Sequence, residues 1–166
     1  MREINIDDED GSVLAYVLDH REDYYKEFIR KYTMDKKTAD MIVKFFEENK
    51  QDLLVIRNIQ VAEDKRGQGL GSFFLKGAMH SARVPLTMLI SDKTEKQKKG
   101  FKLDDFYKSN GFVKITETGF GQFMVYPKQK ALQLKEYLFE QYRLDSIAEH
   151  MEKKAAMRTT IKEKPL

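Results

Sequence analysis

Cysteine is absent from all 166 residues. That removes disulfide frameworks, thiolate metal centres, thioredoxin-like exchange and any route that parks an acyl group on a cysteine sulfur. A nucleophile used by this chain must be oxygen, nitrogen or the substrate itself. Histidine is scarce as well. His20, His80 and His150 stand far apart with no His-x-x-x-His pair, so a metal-hydrolase site is poorly supplied and no metal site is expected. With 9 Gly and 3 Pro, collagen-like and wholly disordered readings fail. No apolar run approaches the ~20 residues needed to cross a bilayer. Asp7, Asp8, Glu9 and Asp10 stand where an export signal would need apolar residues, so a soluble, cytoplasmic protein without membrane contact is expected.

Hydrophobic residues make up 41% of the chain and charged residues 34%, enough for one domain with a real core. The net charge of +3 is unevenly placed. Residues 1–127 hold 21 basic and 21 acidic side chains, whereas 128–166 hold 9 and 6. So mild a bias does not point to nucleic acid.

Glu3 to Ile6 reads as a first strand. Ser12 reads as a helix N-cap, followed by Leu14, Val17, Leu18, Tyr25, Phe28, Ile29 and Tyr32 at helical spacing; the run Val13 to Leu18 carries no period and also fits a strand. Asp35 to Glu48 is amphipathic through Ala39, Ile42, Val43 and Phe46, with Asp35 as cap and Asn49 as stop. Leu53 to Val61 reads as a strand, Leu70 to Ala82 as a helix, and Leu86 to Ile90 as a buried strand. Asp92 to Gly100 reads as a loop, with Lys93, Lys96, Lys98, Lys99 and Lys102 in or near it. A short helix from Phe101 to Ser109, closed by Asn110 and Gly111, precedes two strands, Phe112 to Thr116 and Gln122 to Tyr126. From Lys130 the chain turns helical. Ser146 with Glu149 forms a capping box that would start a second helix, and the last residues, Thr159 to Leu166, read as frayed. Leu134, Leu138, Tyr142, Leu144, Ile147, Met151 and Ala155 are too regular for a disordered tail. They are expected to cover the chain's own sheet or to pair two copies as a homodimer.

The chemistry concentrates in Arg66-Gly67-Gln68-Gly69-Leu70-Gly71, placed after a strand and opening a helix. Glycines let the backbone approach a bulky anion, and amides at a helix N-terminus donate to phosphate oxygens. The spacing is not that of a Walker loop, and no hydroxyl is placed for magnesium. A dinucleotide fingerprint fits no better: its third glycine falls on Ser72 or Phe74, and Ala62 to Arg66 separate the strand from the first glycine.

Roughly 40 residues further on comes Phe106-Tyr107-Lys108-Ser109-Asn110-Gly111-Phe112. Together with Val61 to Gly71, this segment resembles the GNAT superfamily of N-acetyltransferases. The resemblance covers Leu53 to Tyr126. It implies a mixed α/β (α+β), mostly antiparallel sheet flanked by helices, here with a helical amino-terminal part and a helical carboxy-terminal extension. Residues 1–127 would be the catalytic domain, with its core at 53–126, and 128–166 the extension. The cofactor implied is acetyl-CoA, its pyrophosphate on the amides of Gln68, Gly69, Leu70 and Gly71, beside Gly67 and the charge of Arg66. Val61 would end the strand that pairs with the pantetheine arm. Tyr107 would be the general acid that protonates the departing thiolate, while an amine-bearing acceptor attacks the thioester directly.

Three departures from the family pattern stand out. Residues 19–52 read as helix where a strand hairpin is usual before the cofactor-binding strand, so the acceptor side should be unusual or reduced. Gly100 replaces an asparagine seven residues before the tyrosine. The cofactor-binding strand offers Arg57, Asn58 and Gln60 but no carboxylate, which leaves Glu63 and Asp92 as the nearest candidates for a base. Two further readings stay open: an acyl-CoA-binding protein without turnover, and an RNA- or partner-binding module, including acetylation of charged tRNA by a toxin-like enzyme.

Overall fold

The computed structural model of the chain describes residues 1–32, 35–92 and 102–163, with side chains placed up to Met157 except for Tyr32. The amino-terminal reading needs correction first. Ser12 caps no helix: Arg2–Asp8 (β1) and Gly11–Leu18 (β2) form an antiparallel hairpin. Its turn is held by the Asp8 carboxylate, which accepts from the amides of Asp10 (2.8 Å) and Gly11 (3.2 Å). The apolar run Val13–Leu18 is an interior strand, flanked by β1 and by Leu53–Val61 (β3), with Val13, Ala15 and Val17 buried on one face and Leu14 and Tyr16 half-buried on the other. The hairpin that seemed missing is therefore present. It lies at the start of the chain and packs beside β3, while the helices read at 19–52 follow it as Tyr24–Tyr32 (α1) and Lys36–Glu48 (α2).

Asp35 does cap α2. Its carboxylate accepts from the Lys37 amide (3.1 Å) and the Thr38 hydroxyl (2.7 Å), and Asn49 closes the helix. A short 3-10 turn, Glu63–Lys65, then leads into Leu70–Ala82 (α3). Leu86–Asp92 (β4), Leu103–Ser109 (α4), Val113–Thr118 (β5) and Gly121–Tyr126 (β6) complete the core. Phe101, Gly100 and the lysines at 93, 96, 98 and 99 lie outside the described residues; Lys102 precedes α4 and is exposed. The sheet order is β1-β2-β3-β4-β6-β5, antiparallel except for β3 and β4.

Two apolar layers sandwich this sheet. Tyr25, Ile29, Ile42, Phe46, Val55, Met88, Phe123, Leu134 and Leu138 belong to one, covered by α1, α2 and the last helix. Val13, Ala15, Leu54, Ile56, Phe74, Leu75, Leu89, Tyr107 and Phe112 belong to the other, covered by α3 and α4. Alternate residues of β3 enter opposite layers, as a period of two requires.

The carboxy-terminal region is one helix, Lys128–Glu163 (α5), and not two. A capping box needs a chain break before it, and no Gly or Pro stands between Lys128 and Glu163 to make one. Its first third buries Ala131, Leu134 and Leu138. Lys37 then pairs with Asp145 (3.0 Å), and the Tyr142 hydroxyl meets that of Thr38. Beyond Asp145 every described side chain is exposed, including Ile147 and Met151. The second half of the expected apolar face thus covers none of the chain's own sheet.

Candidate functional site

The glycine loop stands where β3 hands over to α3. Gly67 and Gly69 both have positive φ (85° and 77°), which an L side chain adopts only under strain. A Cβ built on either would meet nothing within 4 Å, so the loop presents bare backbone to open space. The first helical bond is donated by the Phe73 amide to Gly69 O (3.2 Å), which leaves the amides of Leu70, Gly71 and Ser72 ahead of the ladder. Gln68 is exposed, whereas the Leu70 side chain is half-buried against the α3/α4 layer and fixes the helix start. Arg66 folds back, its Nε donating to the Val61 carbonyl (3.3 Å), which keeps its charge beside the loop.

Gly71 serves a different purpose from the other two. A Cβ there would lie 3.1 Å from the Phe106 ring, so this glycine lets α4 come close to the first turn of α3. Asn110 strengthens the same junction by donating to Ser72 Oγ (3.1 Å) and to Phe106 O (2.9 Å). The sequence marked Asn110 only as a helix stop; its bond to a serine 38 positions away is a tertiary fact.

Tyr107 is buried at 6% exposure, with ring centroids 5.1 Å from Phe106 and 6.0 Å from Phe112. It lies in the same apolar layer as α3 and thus on the loop's side of the sheet.

The strands open between these elements. β3 and β4 pair only over Leu53–Ile56 and Leu86–Leu89. Beyond that point β4 continues with β6 through Asp92, and β3 continues with β2 through Val61. From Asn58 to Val61 the β4-facing edge of β3 is paired with no strand among the described residues. The opening coincides with a bulge: Leu14 faces Asn58 and Ala15 faces Ile56, so Arg57 is the extra residue. A cavity of about 330 Å³ occupies this place, lined by Val55, Ile56, Met88, Leu89 and Ile90, with Arg57, Lys31, Asp92 and Phe120 around them. Asp92, one of the two base candidates, reaches it; Glu63 is exposed in the 3-10 turn and does not line it.

One cluster elsewhere has metal-ligand character. Asp19, His20 and Asp52 offer ligand atoms within 4.8 Å of one another at the far end of β3. They already serve the fold: Asp52 receives the His20 amide (3.1 Å) and contacts its Nδ1 (2.9 Å), and Asp19 binds Arg21.

No family model and no curated protein matches the chain. Solved structures do. Arabidopsis thaliana NAA60 in complex with acetyl-CoA is 19% identical at a TM-score of 0.44, over 70% of this chain and 64% of that one. The GNAT family N-acetyltransferase YhbS from Escherichia coli, in complex with CoA, is 14% identical at 0.36, over 76% and 87%. The anti-CRISPR protein AcrVA5 is 17% identical at 0.42, over 76% and 99%. The chain spans just under two thirds of NAA60.

Proposed function

We propose that this chain is an acetyl-CoA-dependent N-acetyltransferase that passes the acetyl group directly to a primary amine. The observation that carries the proposal is the opening of β3 from β4 after Ile56 and Leu89, beside a glycine loop with bare backbone at the start of a 13-residue helix. The residues fit acetyl-CoA. A pyrophosphate suits the amides of Gln68 to Ser72, where the helix dipole and Arg66 favour negative charge. The pantetheine arm is amide-rich and strand-like, and the edge of β3 from Asn58 through Val61 offers it a partner.

Acetyl-CoA, when bound, would supply a thioester whose carbonyl carbon takes the amine nitrogen as the C–S bond breaks and its electron pair leaves on sulfur. The chain's own residues do the rest. The opened strands hold amine and thioester together, which supplies much of the rate. Tyr107 donates its phenolic proton toward sulfur from the α4 side. Asp92, at the cavity, takes the proton that the amine gives up. Without cysteine, no thiol of the chain is acylated on the way.

The test is thiol release from acetyl-CoA across a panel of amines, with the acetylated product confirmed by mass spectrometry. The absence of cysteine gives this assay no protein background. CoA binding without release from any amine would make the chain an acyl-CoA-binding protein. Salt-sensitive RNA binding without CoA binding would make it a nucleic-acid module.

A further inference from the structure

The cavity at the strand opening has a charge pattern that the transfer reaction does not require. Its floor is apolar, from Val55, Met88 and Ile90 of the α1/α2 layer or packed on it and from Ile56 and Leu89 of the α3/α4 layer. The cofactor loop and Tyr107 belong to the α3/α4 layer. The cavity thus lies where the two layers meet at the parted strands, and the charges around it select what it holds. Among the described residues two cations line it, Lys31 from the end of α1 and Arg57 at the bulge of β3, with one carboxylate, Asp92, at the end of β4. Phe120, 55% exposed between β5 and β6, adds an aromatic edge.

We propose that the acceptor is a small amine that also carries an anionic group, a carboxylate or a phosphonate-like oxyanion, with the anion held by Lys31 and Arg57 and the amine turned toward Asp92. The inference rests on the acetyltransferase reading. About 330 Å³ is a volume for a small molecule. Two cations in one concave wall repel a polycation and attract an oxyanion, and a guanidinium matches carboxylate or phosphonate oxygens two at a time. The carboxylate on the other strand supplies the opposite sign, so both ends of a zwitterion are met.

Matched pairs test this with the full-length chain and acetyl-CoA: phenylalanine against phenylalaninamide, 3-aminopropylphosphonate against propylamine, and spermidine as the polycation. The anionic member of a pair should be preferred in kcat/KM by on the order of 10- to 100-fold, the worth of one charge-assisted hydrogen bond. Which pair shows the larger ratio tells carboxylate from phosphonate. Arg57→Gln and Lys31→Gln should each shrink the ratio through KM while the thermal shift on CoA binding stays unchanged. Preference for spermidine or the uncharged amines, or ratios untouched in both variants, overturns the acceptor assignment and leaves the transferase standing. No thiol release with any of the five amines overturns both.

Discussion

Two glycines of the same helix region should respond to alanine with opposite signs, and only one should affect CoA. Gly69 holds φ 77° just before α3, and a Cβ there meets open space. Alanine at this position suffers no clash but pays left-handed strain of about 1–2 kcal/mol. For a chain of this length about 1 kcal/mol moves Tm by roughly 2–4 °C, so Gly69→Ala should melt about 2–8 °C lower. Gly77 sits inside α3 with ordinary φ, and its added Cβ would touch Ile6 Cδ1 at 3.5 Å, a normal van der Waals contact. Removing glycine from a helix interior contributes about 0.8–1 kcal/mol, so Gly77→Ala should melt roughly 2–4 °C higher. CoA at 100 times its Kd adds about 2.7 kcal/mol to the folded state. That corresponds to a rise of roughly 5–11 °C for the parent and for Gly77→Ala. Gly69→Ala should lose most of this rise, because its methyl group fills the face that the pyrophosphate approaches, and Gly69→Glu should lose all of it. Circular dichroism melts with and without CoA read both quantities. If Gly69→Glu keeps the full rise, the cradle is not a phosphate site. If the two alanine variants shift Tm in the same direction, the backbone argument is wrong whatever CoA does.

Three further expectations follow from individual contacts. Tyr107→Phe should keep the CoA-induced Tm rise and lower kcat by about 10²-fold or more, the range for loss of a general acid; an unchanged kcat across pH returns Tyr107 to a packing role. Asp104 is partly buried, which raises its pKa, but bonds to Ser91 Oγ and to Lys114 Nζ (2.9 Å) outweigh burial and hold the carboxyl below the ordinary carboxylate range. Its contribution is therefore present at neutral pH and lost as pH falls through the depressed value, so the Tm gap between parent and Asp104→Asn should close below about pH 4; a gap constant from pH 7 to 2 refutes this. A chain ended at Asp145 should still fold, melting below the parent only by what pairing of two copies contributes, since the described side chains beyond it are exposed, whereas one ended at Lys128 loses buried Ala131, Leu134 and Leu138 and should fail to fold stably. Light scattering on the parent and the Asp145 chain tests the homodimer: a larger parent mass is expected, and equal monomeric masses remove it.

The run from β3 through the glycine loop into α3 was legible before any fold was known, because its signals are local. A strand, alternating glycines and a helix follow one another within 30 residues, and α3 runs from Leu70 to Ala82 as its pattern indicates. Asp35 and Asn49 bound α2 for the same reason: caps act on backbone groups two to four residues away.

Where a reading failed or was silent, the deciding partner lay far off in sequence. Val13 to Leu18 is a strand because β1 and β3 pair with its two edges and α3 covers the face of Val13, Ala15 and Val17, which no window of six apolar residues reveals. Ser146 and Glu149 satisfy a capping motif inside an uninterrupted helix, since a motif for starting a helix does not itself end the one before it. Past Leu89, β4 keeps its partner β6 while β3 keeps its partner β2, so the two strands part, and pairings with strands this far off in sequence are not written in either segment. Lys31 and Arg57 look like ordinary surface charges in the sequence; they become an acceptor wall only because α1 ends over the bulge where the strands part. Backbone chemistry at the cradle is local and so belongs to the sequence, whereas the pairing of charges across the cavity depends on chain closure over long separations, which only the folded sheet decides.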